Sequence, residues 1–357
     1  MDLKLLEINN ITVTFETDEG IIKAVDDVSF HIDRNEIVGL VGESGCGKSV
    51  TALSILRLIP LPYGRIETGE ILFYGKNLLD LNHKEMRKIR GRAISMIFQE
   101  PGSALSPLHT IGRQMVETIL LHKNITRKDA WNIAESWLEK VKISDPGERM
   151  FAYPYQLSGG MQQRVMIAMT LMLEPDLIIA DEPTTALDVT IQAQVFELVR
   201  EMKRFNTSIL LITHDMGVIW EMCDRVVVMY ASRVVEEGNR DDIFSKPAHP
   251  YTIGLLESIP KLSVTPPIPP SRGDKHPPIP PSRGDKHPPI PPSRGDKGGC
   301  RLKAIPGQVP SALNYPSGCH FFDRCPDAFD RCRDEKPKLI NLGNGHKTAC
   351  FLAKNEL

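Results

Sequence analysis

Apolar and polar positions alternate partially over Leu5–Phe15 and Ile21–Ile32, the period-two pattern of strands with one covered face. The next segment differs: Glu36 leads into Ile37-Val-Gly-Leu-Val41, an almost unbroken apolar run suited to a strand buried on both faces. It ends in a glycine-rich turn, and a helical pattern begins near Lys48. Two further runs, Leu177–Ala180 and Ser208–Thr213, each precede a helical pattern. Strands alternating with helices predict an α/β fold with a parallel core. From about 105 to 173 no strand run occurs and the spacing is helical, as in Lys128–Val141. That stretch reads as a helical subdomain inserted into the α/β body.

From Pro266 the pattern gives way to PPIPPSRGDKH in tandem, two full copies and a third lacking only its final His. Such a segment favours extended polyproline II and builds no core, so it reads as a solvated spacer. Its PxxP spacing and Arg-Gly-Asp triplets are weaker as recognition motifs. The chain therefore divides into a body at 1–262, a linker at 263–299 and a cysteine-rich extension at 300–357. Twelve of the 28 prolines lie between Pro266 and Pro292, so the remainder has ordinary globular composition.

Charge changes the picture little. Forty-three Lys and Arg against 45 Asp and Glu leave −2, which argues against attachment to nucleic acid by bulk charge. No apolar run approaches the ~20 residues that span a bilayer. The opening MDLKLLEINN has no signal-peptide pattern, which points to the cytoplasm. In that reducing setting the seven cysteines are expected to be thiols or metal ligands.

The chemistry is concentrated after the first buried strand. Gly42-Glu-Ser44-Gly45-Cys46-Gly47-Lys48-Ser49 matches G-x-x-x-x-G-K-S, between the strand and helix that this motif requires. Its backbone N–H groups would cradle phosphates, Lys48 would reach the β- and γ-phosphates, and the Ser49 hydroxyl would ligate Mg²⁺. Leu177–Ala180 runs into Asp181-Glu182. Asp181 would stand near the magnesium and Glu182 would polarise an attacking water as general base. Leu157-Ser158-Gly159-Gly160-Met161 precedes a helical pattern, so Ser158 can cap a helix and leave amides free for an anion.

Together these motifs resemble the ATP-binding cassette (ABC) ATPases, whose signature is LSGGQ; here Met161 replaces the Gln. The resemblance implies an ABC-type P-loop ATPase fold with a mixed sheet, and roles for further residues. Gln99 matches the glutamine loop that senses magnesium and faces the transmembrane partner. Asp188, in Ala186-Leu187-Asp188, matches the D-loop, and His214 the switch histidine at the γ-phosphate. Phe15 occupies the place of the aromatic that stacks on adenine. It further implies head-to-tail pairing of two ATPase domains, ATP closing the pair and hydrolysis reopening it.

His249-Pro250-Tyr251-Thr252 and the cysteine tail resemble the dipeptide and oligopeptide importer branch. The partners implied are a second, similar ATPase (or a second copy), two transmembrane permease subunits and, indirectly, a substrate-binding protein. The location implied is the cytoplasmic face of the membrane, with no nucleic acid. Nickel and opine importers share similar ATPases, and cassettes acting on nucleic acid or ribosomes form a more distant alternative. Cys319, Cys325, Cys332 and Cys350 are spaced C-x5-C-x6-C-x17-C, without the tight pairs usual at structural zinc. That spacing suits a [4Fe–4S] cluster, which the resemblance also implies, with zinc or plain buried thiols as alternatives. The tail has few apolar residues, so metal binding is expected to supply folding energy. Cys300 reads as a bystander and Cys223 as core. Cys46, beside Lys48 in the phosphate loop, is expected to be alkylatable.

Overall fold

A computed structural model of the chain describes residues 4–99, 104–183, 189–203, 206–258 and 305–353. The repeat, Asp188 and Cys300 lie outside these residues. Two sheets organise the body. The first is antiparallel, in the order β2–β1–β4–β5, from β1 (Leu6–Thr17), β2 (Gly20–Ile32), β4 (Gly64–Phe73) and β5 (Lys76–Asn77). The second runs β11–β12–β10–β9–β3–β8–β7–β6. Its centre is parallel: β9 (Arg225–Tyr230), β3 (Ile37–Val41), β8 (Ser208–Ile212), β7 (Leu177–Asp181) and β6 (Ile94–Ile97). Every residue of β3, β7 and β8 is buried, which is what their apolar runs require.

The mixed character comes from one edge. There β10 (Arg233–Asn239), β12 (His346–Thr348) and β11 (Ile340–Gly343) continue the sheet antiparallel. Two of these strands belong to the cysteine-rich tail. The pairs Glu236↔Thr348 and Glu237↔Lys347 join the tail to the body, and Phe321, 2% exposed, enters the main core. The tail is therefore held by sheet pairing and apolar packing, where its composition had pointed to metal binding as the source of folding energy.

Helices Ile111–His122, Arg127–Lys140, Pro146–Arg149 and Gly159–Leu171 fill the stretch between β6 and β7, as the helical spacing predicts. Thr110, Thr126 and Ser158 start three of them by accepting a backbone N–H of the first turn. Their apolar faces share one core with the sheet, including Met115, Trp137, Leu138 and Val165. The other face of the sheet packs with β1 and β2 through Ile8, Val13, Val28, Leu40 and Leu210. Because β3 lies between β8 and β9, its carboxyl end opens at the middle of the sheet edge, where α/β folds place ligands.

Candidate functional site: phosphate loop, acidic strand end and four-cysteine tail

β3 delivers Gly42, and the chain loops over itself before the helix Lys48–Ile55. Gly47, at φ 103°, is the N-cap of that helix, and a Cβ there would meet the Ala24 carbonyl oxygen at 2.3 Å. Gly45, at φ 78°, faces open space, so a side chain there would be strained by the backbone alone. Ser44 and Gly45 form the exposed rim. Lys48 is 7% exposed, and its ammonium donates to the carbonyls of Gly42 at 2.8 Å and Glu43 at 3.0 Å. The cation thus lies inside the loop, with the amide-rich rim in front of it.

Two carboxylates arrive on β7. Asp181 is 5% exposed and hydrogen-bonded by Ser49, while its buried Oδ1 has no hydrogen-bond partner. Burial raises its pKa; the Ser49 hydrogen bond opposes this, the Glu182 charge adds to it, and Lys48 lowers it. A hydroxyl and a buried carboxylate with an unused oxygen are hard donors of the kind Mg²⁺ prefers. Glu182 follows at φ 46°, a left-handed conformation that a non-glycine residue enters when its surroundings hold it. Its N–H is anchored to the Ile212 carbonyl at 2.9 Å. One carboxylate oxygen accepts from Gln99 Nε2 at 3.1 Å and the other lies 3.2 Å from His214 Nδ1. Gln99 follows β6, and His214 sits between β8 and a helix capped by Asp215, so three adjacent strands converge on one carboxylate.

At the other end of the sheet edge, Cys319, Cys325, Cys332 and Cys350 line one small cavity with Phe321, Phe322, Phe351 and Pro337. Burial pushes the Cys319 thiol up to about 11; a backbone hydrogen bond from Phe321 opposes this, and the other three thiols add to it. Burial also raises Cys325 and Cys350. The metal-binding extension expected from the spacing is not met in ligand geometry. Among the described residues no group of three or more His, Cys, Asp and Glu is arranged to hold a metal ion. The thiols are packed among Phe321, Phe322 and Phe351, and burial disfavours the thiolate at Cys319, Cys325 and Cys350.

A family model described as ABC transporter matches residues 25–185. A second, oligopeptide/dipeptide transporter C-terminal region, matches 235–284 and 289–332. The oligopeptide transport ATP-binding protein AppD of Bacillus subtilis is 46% identical over 353 residues, covering 99% of this chain and 98% of that protein. The dipeptide transport protein DppD of the same organism is 45% identical, covering 98% and 95%. OppD of Escherichia coli is 42% identical, covering 99% and 94%. The dimeric ATP-binding cassette MJ0796, in a structure bound to ADP and Pi, superposes with TM-score 0.60 at 28% identity, covering 66% of this chain and 98% of that one.

The chain belongs to the ABC transporter ATP-binding proteins of the oligopeptide/dipeptide type.

Within this ABC protein the expected site residues fall into two sets. Lys48, Ser49, Asp181, Glu182, Gln99 and His214 are brought together by the contacts above. Ser158, Gly159 and Gly160 stand at the start of another helix, where Ser158 Oγ accepts from Met161 N at 3.3 Å and a Cβ on Gly159 would meet nothing within 4 Å. Phe15 is half-buried on β1, with its ring edge against Gly64 and the second core. Cys46 corrects the expectation of a reactive thiol: it is 1% exposed, points into the core, and burial raises its pKa despite Lys48. Cys223 is buried, as expected.

Sequence reasoning missed the residues behind the loop. Tyr251 Oη accepts the Glu43 N–H at 2.9 Å, and Arg324 forks onto the Glu43 carboxylate at 2.6 and 3.0 Å. Gln163, fully buried in the signature helix, donates to the Pro183 carbonyl just after Glu182. Tyr251 lies in the His-Pro-Tyr-Thr motif and Arg324 between two tail cysteines, but neither motif says what its side chain touches.

Proposed function

We propose that the chain binds and hydrolyses ATP as the cassette subunit of a peptide importer, working with a second cassette across the ATP. The observation that carries this is the Gln99–Glu182–His214 cluster beside the Lys48–Ser49–Asp181 set. The amides of Ser44 to Ser49 and the Lys48 ammonium bind the phosphates, while Ser49 and Asp181 are the residues to hold Mg²⁺. Magnesium, when bound, neutralises charge on the terminal phosphates. Glu182 accepts a proton from water as the water oxygen attacks the γ-phosphorus, and the bond to the ADP oxygen breaks to give ADP and phosphate. Gln99 and His214 orient the Glu182 carboxylate. Ser158, Gly159 and Gly160, open to solvent at a helix N-terminus, are assigned to the partner's ATP, Asp188 to the contact between cassettes, and Phe15 to the adenine.

The supports for a peptide importer are the 41–46% identity to named peptide-transport cassettes over nearly the whole chain and the matched C-terminal region. Among the described residues no helix is long and apolar enough to cross a membrane. Coupling to transport then needs permease subunits, with this chain peripheral on their cytoplasmic face. Phosphate release and nucleotide binding test the reading. Glu182→Gln is expected to keep ATP affinity and lose hydrolysis roughly 10²-fold or more. Lys48→Ala is expected to lose binding itself. Hydrolysis surviving in Glu182→Gln would overturn the assignment of the base.

The same reading extends to the tail. Four thiols around one cavity support a [4Fe–4S] cluster, because a cubane core spreads its cysteine sulfurs further apart than a single ion does. Burial and neighbouring thiols raise the pKa values of Cys319, Cys325 and Cys350, so a cationic core is needed to ionise them. Protein purified without oxygen is expected to carry about four iron and four sulfide per chain, lost in Cys325→Ser. Zinc without iron would replace the cluster with a zinc site.

A further inference from the structure

Glu43 is an anomaly in a loop that, on the reading above, receives a triphosphate. It places a carboxylate next to Ser44, at the start of the anion-binding turn. That charge is neutralised from the tail: Arg324, whose side chain is 5% exposed, meets Glu43 with both terminal guanidinium nitrogens. The same fork is fixed from behind by the carbonyls of Pro306 at 2.9 Å and Ile305 at 3.4 Å and by Tyr230 Oη at 3.3 Å. Two further contacts from the same segment reach the loop's underside. Phe321 packs against the Tyr251 ring, whose hydroxyl takes the Glu43 N–H. His320 Nδ1 lies 2.6 Å from the Ala231 carbonyl, in the turn whose Ser232 N–H donates to Cys46 O. All three contacts come from residues between Cys319 and Cys325.

We propose that Arg324 is a positioning residue for ATP, holding the Glu43 carboxylate away from the incoming phosphates and thereby coupling nucleotide affinity to the docking of the four-cysteine tail. The argument is electrostatic. With the guanidinium in place the loop presents amides and Lys48; without it, a carboxylate in the same turn repels the triphosphate. Coupling of this kind is reciprocal, so bound ATP tightens the docking of the 319–325 segment by the same factor.

The test is the dissociation constant for ATP on the full chain at low and high salt. Arg324→Gln is expected to weaken ATP roughly tenfold, with less effect at high salt. Arg324→Lys, which keeps the charge, should lie close to the parent chain. The decisive comparison is the double variant Glu43→Gln with Arg324→Gln, expected to recover most of the lost affinity, since the offending charge is gone. A purely structural brace would leave it as weak as the single variant. A second readout is amide exchange over 319–325, slowed by ATP in the parent chain and not in Arg324→Gln. The proposal is overturned if Arg324→Gln binds ATP within about twofold of the parent, or if the double variant is no better than the single one. Should Arg324→Gln fail to fold, Glu43→Gln alone decides: it should bind at least as tightly as the parent, and weaker binding sinks the idea. A parent chain that binds no ATP would instead refute the ATPase reading on which this rests.

Discussion

Glu236 is wholly buried, yet its carboxylate is fully used. One oxygen lies 2.8 Å from His346 Nε2 and accepts the Ala248 N–H at 2.6 Å; the other accepts the His249 N–H at 3.0 Å. This one side chain ties the tail hairpin and the His-Pro-Tyr-Thr turn to β10. Burial pulls the His249 pKa down to about 4, which keeps its ring neutral and lets Nδ1 accept the Tyr251 N–H at 3.0 Å. That bond sets the helix on which Tyr251 reaches Glu43. Replacing Glu236 by Ala strands two backbone donors and an imidazole in the interior. The expected loss is about 3–5 kcal/mol of unfolding free energy, read as a lowered urea midpoint. Glu236→Gln keeps an acceptor and is expected to lose less.

The elements that could be read from the sequence are those whose burial is apolar. β3, β7 and β8 announce themselves as unbroken apolar runs, and the phosphate loop as a contiguous motif. β10 does not, because Arg233-Val-Val-Glu-Glu-Gly-Asn239 looks half-exposed while Glu236 and Glu237 are buried at 0% and 2%. Their burial is made possible by His346, 110 residues from Glu236, and by Arg225 on the neighbouring strand, which also bonds the distant Glu36 at 2.8 Å. The tail strands fail for a related reason: short and polar, they become strands only when β10 offers an edge. At the site, the local motifs named Lys48, Ser49, Asp181 and Glu182 because each lies in a contiguous run at a strand end. The Glu43–Arg324 pair spans 281 residues, and no local pattern carries it. The direction of Cys46 was hidden as well, since a position within a motif does not say which side of the loop a side chain takes.

The tail completes the main sheet and covers Tyr230 and Tyr251 with Phe321, whose rings lie 5.1 and 5.5 Å from theirs. A chain ended after residue 262 would leave the outer edge of β10 unpaired beside an uncovered apolar patch, the combination that invites edge-to-edge association. Such a chain is expected to form higher oligomers at micromolar concentration in light scattering, where the full chain does not.

The same closure has a consequence in time. His346 follows Glu236 by 110 residues, so at ordinary translation speeds the partner of that carboxylate leaves the ribosome roughly 5–20 s later. For most of that interval the nascent cassette has its phosphate loop but neither its last sheet edge nor the guanidinium that covers Glu43. Chaperone binding to the nascent chain should therefore be strongest while the proline-rich stretch is being made.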